Sequence, residues 1–149
     1  MNVRQILNNK ERVIGARGVA TVHPSATLVE VARELARFGI GALVVSEDGS
    51  QIDGIVSERD LARAVASQGA SALDRPVTDV MTASVSTCSL VDTVETLMET
   101  MTTERIRHLP VVVDGTLSGI ISIGDVVKFR VAELQTESKA LHDYLYSGR

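Results

Sequence analysis

The chain repeats itself. Aligning residues 21–65 with 87–130 sets Thr27-Leu28 on Thr93-Val94, Ile40-Gly41-Ala42-Leu43 on Ile106-Arg107-His108-Leu109, and Asp48-Gly49 on Asp114-Gly115, all 66 positions apart. Gly54-Ile55-Val56-Ser57 then falls on Gly119-Ile120-Ile121-Ser122, and Asp60 on Asp125, 65 apart. The lost residue belongs to a turn, where length is tolerated. An internal repeat decides architecture before any local signal does.

Each copy reads alike. A short strand comes first, over Val19–Val22 and again over Val85–Cys88. An amphipathic helix follows, with Leu28, Val31, Ala32 and Leu35 on one stripe and Val94, Leu97, Met98 and Met101 on the other. Gly39 is placed to end the first helix. Two β-rich runs then flank Asp-Gly, Ala42–Val45 with Ile52–Val56 and Leu109–Val113 with Leu117–Ile121, which predicts hairpins. A second helix starts near Glu58 and near Gly124. The result is an α/β (α+β) fold of two β-α-β-β-α units. Units of roughly 45–50 residues rarely bury enough apolar surface alone, so the copies are expected to pack sheet to sheet and share one core. The expected organisation is 8–73 for repeat 1, 74–80 for a linker holding Pro76, 81–135 for repeat 2, and 136–149 for a helical extension.

Composition narrows the function. Hydrophobic residues are 44%, charged residues 23% and aromatics 3%, so the core must be aliphatic. A net charge of −4 without clustered Lys and Arg argues against nucleic acid. No apolar run approaches the roughly 20 residues of a membrane span, and Met1–Gln5 leads into no signal-peptide pattern. The single Cys, Cys88, permits no internal disulfide. Its expected role is a small buried hydrophobe, and the expected setting is a reducing, cytoplasmic one. His23, His108 and His142 share no metal-ligand spacing. Glu58 and Asp60 diverge on a helix, no nucleophile stands beside a base, and no phosphate-loop or nucleophile-elbow motif occurs, so no catalytic residue or catalytic cofactor is expected.

The informative motif is Ser-x-x-Asp, Ser57 to Asp60 and Ser122 to Asp125, each where a strand gives way to a helix. One reading is a capping box, although Glu or Gln is more usual at the third helical position. The other is a ligand site: free amides and a hydroxyl suit a phosphate, and a carboxylate can accept from both hydroxyls of a ribose. The segment Arg105–Pro110 offers Arg107 and His108 to a polyphosphate, or else Arg105 and Arg107 are solvated and His108 is half buried. Gly41 and Ala42, at the matching place in copy one, leave room for a flat group or form a turn.

Together these motifs resemble the tandem cystathionine-β-synthase (CBS) domain pair, or Bateman module. The carriers are Gly39–Val45 with Gly54–Asp60, Arg107–Val112 with Gly119–Asp125, and Val80-Met81-Thr82 before the second copy. The resemblance covers about residues 3–135 and is nearest to stand-alone bacterial pairs. It implies two repeats related by a pseudo-two-fold axis, with two clefts between them that bind adenine nucleotides (AMP, ADP, ATP, NAD, sometimes S-adenosylmethionine). By resemblance, cleft one uses Arg17, Gly18, Val19, Ile40, Gly41, Ala42, Ile120, Ser122 and Asp125. Cleft two uses Thr82, Ala83, Val85, Ile106, Arg107, His108, Ile55, Ser57 and Asp60. Arg107 and His108 are also placed to serve cleft one. Copy two has Ser89-Leu90 where copy one has His23-Pro24, a departure far from the expected ligand.

The resemblance implies a nucleotide sensor, not an enzyme, that signals by conformational change to a protein partner the sequence does not identify. The alternative is a structural or adaptor homodimer with unoccupied clefts. Asp125–Tyr146 reads as one long helix carrying Val127, Val131, Leu134, Leu141 and Leu145 at heptad-like spacing, with Ser138 in the gap. That stripe fits either a homodimer contact or a cover for the protein's own core. Val3–Leu7 is expected to form a small helix on the opposite repeat.

Overall fold

The computed structural model describes residues 1–10 and 19–148. Its first half runs α1 (Val3–Asn9), β1 (Thr21–Val22), α2 (Leu28–Phe38), β2 (Ala42–Val45), β3 (Gly54–Ser57) and α3 (Glu58–Gln68). Two 3₁₀ turns, Ala70–Asp74 and Val77–Asp79, lead to α4 (Val94–Glu104), β4 (His108–Val113), β5 (Thr116–Ser122) and α5 (Ile123–Ser147). The structure is the doubled α/β arrangement expected from the repeat.

Helix α2 begins at a capping box, Thr27 with Glu30, and ends at Gly39 in the left-handed region (φ 63°). It buries Leu28, Val31 and Leu35. In α4, Val94, Leu97 and Met101 are buried, but Met98 is 43% exposed, so the second stripe is narrower than its spacing predicts.

Strand β1 lies parallel to β2, and β2 is antiparallel to β3. The second sheet is the β4–β5 hairpin alone. The expected strand Val85–Cys88 is corrected to a single parallel bridge, Cys88 to Val111. Of that run only Cys88 is buried, and the chain turns at once through Ser89, whose amide donates to Asp92. The two Asp-Gly signals also diverge. Asp114 and Gly115 both have positive φ (50° and 75°), as a two-residue hairpin turn requires. Asp48 instead accepts from the amides of Ser50 and Gln51 inside a longer loop, and β3 starts only at Gly54.

The single shared core is corrected as well. Each repeat has its own cluster, one around Leu28, Leu43 and Val56, the other around Leu97, Leu109 and Ile121. Sheets this narrow are covered by their own helices. A small third cluster, Val19, Val44 and Leu117 with Ile52 and Ile120 at the edge, joins the two sheets.

The segment leading into each repeat packs on the other one. Val3 and Ile6 of α1 lie in the second core, and the Val3 and Arg4 amides donate to Asp92 O and Leu90 O. Val77, Val80 and Met81 pack on the first core, and the Val77 amide donates to Ala26 O. The 74–80 segment is therefore packed, with Val77 fully buried. Two glycines permit these crossings. A Cβ on Gly54 would stand 2.5 Å from Met81 Sδ and 2.9 Å from Thr82 O, and one on Gly119 would stand 2.9 Å from a Leu7 methyl.

Helix α5 is continuous for 25 residues and buries only Val126. Among the described residues no helix is long and apolar enough to cross a membrane.

Candidate functional site

Each Ser-x-x-Asp motif sits at the junction of a hairpin and its helix, β3 to α3 and β5 to α5. The hairpin pairing carries on into the first helical residue: Glu58 N donates to Gly41 O, and Ile123 N to Arg107 O, both within 2.9 Å. This places the helix start beside the residue that precedes the hairpin, and a cleft opens between the two repeats on each side of that seam.

Both motifs form capping boxes. Asp60 Oδ2 accepts from Ser57 N (2.8 Å) and Ser57 Oγ (3.0 Å). Asp125 Oδ2 accepts from Ser122 N (2.8 Å). The capping and ligand readings are thus compatible. Capping engages one oxygen of each carboxylate, and among the described residues Oδ1 of both accepts no hydrogen bond. A carboxylate retains lone pairs for a further donor.

The first cavity, about 330 Å³, brings together Ile40, Gly41, Ala42, His108, Ile120, Ser122 and Asp125 with Lys10, Ala20 and Gly39. Val19 is 3% exposed and packs in the seam with Val44 and Leu117. Arg17 and Gly18 lie outside the described residues. The second cavity, about 440 Å³, collects Ile55, Ser57, Asp60, Thr82, Ile106, Arg107 and His108 with Gly41, Ala42, Glu58, Arg59, Arg63 and Arg105. Ala83 and Val85 are not among the residues that line it. Gly41, Ala42 and His108 border both cavities. A Cβ on Gly41 would stand 3.4 Å from both Glu58 Oε1 and His108 Nε2, so a side chain there would crowd the passage.

Lys10 is the main residue missed by sequence reasoning. Its ammonium donates to Asp125 Oδ2 at 2.7 Å and to Ile120 O at 2.9 Å. Burial would raise the Asp125 pKa, but the Lys10 hydrogen bond and charge and the Ser122 amide outweigh it and hold the carboxyl below its ordinary value. His108 is pushed down, first by burial and next by Lys10, with Arg107 adding and Glu58 and Asp125 opposing. A lone lysine after a short helix carries no sequence signal. Arg59 and Arg63, one turn apart on α3, had a weak one in their spacing around Asp60.

The profile of the CBS domain family matches residues 8–67 and 77–132. A mitochondrial CBS domain-containing protein of Arabidopsis thaliana is 36% identical over 126 residues, 82% of this chain and 61% of the relative. The chain thus spans about three-fifths of that relative's length. The solved structure of a CBS-domain containing protein from Agrobacterium tumefaciens has 46% identity and a TM-score of 0.80, covering 87% of this chain and 99% of that one. A CBS domain protein from Pyrobaculum aerophilum, solved in complex with AMP, has 31% identity and a TM-score of 0.71, covering 84% and 89%.

Proposed function

The chain belongs to the CBS-domain family, and from that premise we propose that it is a cytoplasmic sensor that binds an adenine nucleotide (AMP, ADP, ATP or NAD) between its repeats and passes on the occupied state by a change of conformation. One observation carries the reading. Two cavities lie at the seam, each lined from both repeats, and each presents a capped Asp, one oxygen of which accepts no hydrogen bond among the described residues, beside a serine and a helix start. That oxygen is suited to ribose hydroxyls and the helix start to phosphate. The AMP complex of the Pyrobaculum relative lends support. A ligand held by both repeats stabilises the relative angle at which it binds best, and only by its difference in affinity between the two angles. No residue is assigned a catalytic role.

Thermal unfolding with AMP, ATP, NAD or S-adenosylmethionine tests this. A ligand at about 100 times its Kd adds about 2.7 kcal/mol, a shift of about 5–10 °C in a chain of this size. Asp60→Ala and Asp125→Ala together are expected to abolish the shift while costing about 1 kcal/mol each as lost caps. No shift with any ligand, for protein freed of bound nucleotide, leaves the second reading: an adaptor homodimer. The exposed stripe of α5, with Val127 at 54%, Leu141 at 64% and Leu145 at 69% exposure, favours it.

A further inference from the structure

The two clefts differ in charge although the repeat makes them alike in shape. The second is lined by Arg59, Arg63, Arg105 and Arg107 against Glu58 and Asp60. None of these four arginines is ion-paired among the described residues. Arg105 also holds a left-handed backbone (φ 55°) at the end of α4, where the first repeat has Gly39. Among the described residues the first cleft has one lysine and one Asp, and these neutralise each other across 2.7 Å.

On the nucleotide reading of the clefts, we propose that they are specialised. The second cleft takes the di- or triphosphate end of a nucleotide on its four arginines, and the first, where Lys10 already pairs with Asp125, is the weaker site. The chemistry follows from geometry. Guanidinium groups bind phosphate oxygens in pairs and keep their charge at any working pH. A polyphosphate in the first cleft would meet the Asp125 carboxylate with Lys10 as the one cation among the described residues to offset it. A ribose there would have to share that carboxylate with an ammonium already donating to its Oδ2.

Isothermal titration of the full chain with adenosine, AMP, ATP and inorganic triphosphate decides the matter. ATP is expected to bind at least about tenfold tighter than AMP, as charge-assisted hydrogen bonds imply. Arg63→Gln with Arg107→Gln should remove most of that preference, and the thermal midpoint should hold because both side chains are exposed. Lys10→Gln should raise the AMP bound per chain by releasing the Asp125 carboxylate from its ion pair. Inorganic triphosphate binding as tightly as ATP would make the second cleft a polyphosphate site that does not read the nucleoside, overturning the nucleotide assignment. Equal affinities for AMP and ATP, unchanged by the arginine substitutions, would overturn the specialisation and leave the nucleotide sensor standing. A loss of ATP affinity in Lys10→Gln would reverse the assignment of the clefts. If neither AMP nor ATP binds, both readings fall.

Discussion

Lys10 and Asp125 meet with side chains only 22% and 21% exposed, so solvent screens their pairing less than it would at the surface. The lowered Asp125 pKa has a definite sign. A carboxyl whose folded pKa lies below its unfolded value near 3.8 contributes stability above that value and loses it as pH falls through the folded one. Lys10→Met removes the cation, so it is expected to cost about 1 kcal/mol at pH 7. At a pH below the folded Asp125 value the variant and the parent should converge. Urea unfolding at both pH values checks this, and a gap that stays constant would show that Lys10 acts by packing alone. Two glycines supply a second contrast at this scale. Gly54→Ala drives a methyl against the Thr82 carbonyl, which is backbone, and is expected to cost about 1–3 kcal/mol. Gly119→Ala meets only the end of Leu7, which can swing aside, and the cost should stay under about 1 kcal/mol. Equal losses in thermal unfolding would count against this account of the crossings. The Ser-x-x-Asp pairs were legible in the sequence because repetition marks them. Lys10 was not, since its partner lies 115 positions away and nothing periodic points to it.

Among the elements, helices were read most closely. The Thr27–Glu30 capping box and Gly39 bound α2 where the residue types say they should. Strands were read less well. Val85–Cys88 has β-forming residues but only one bridge to pair with, because strand formation depends on a neighbour the local sequence does not contain. The long helix α5 was legible, its purpose less so. Its last turns bury nothing, and a helix without packing is marginal in water. Val131 and Leu134, each 47% exposed, continue the stripe toward Leu141 and Leu145. If the protein is the homodimer proposed above, removing residues 136–149 should lower its mass in light scattering from dimer to monomer. A full-length chain that already runs as a monomer would assign the stripe to another partner.

For the whole molecule, the repeat announced the doubled fold, and the first crossing was legible as the expected small helix Val3–Leu7 on the opposite repeat; the matching crossing through Val77, expected only as a linker, was not. Helix α1 is only seven residues long, and its two buried positions are Val3 and Ile6. Their effect is large. Without them the second core would open beneath Leu97, Leu109 and Ile121, and without Val77 the first would lose its own closing residue. Neither repeat is complete without residues that precede the other, so the pair should unfold as one unit although its cores are separate. Ile6 is 1% exposed, and Ile6→Ala is expected to cost about 2–5 kcal/mol. In urea, circular dichroism should show a single transition moved as a whole to lower denaturant. Hydrogen exchange should report the same loss at Leu43 and Val56 in the first repeat, which Ile6 does not touch. Two transitions, or a loss confined to the second repeat, would mean that the crossing segments fasten each core separately. In that case a ligand spanning the seam, not the packing, would have to supply the coupling between the repeats.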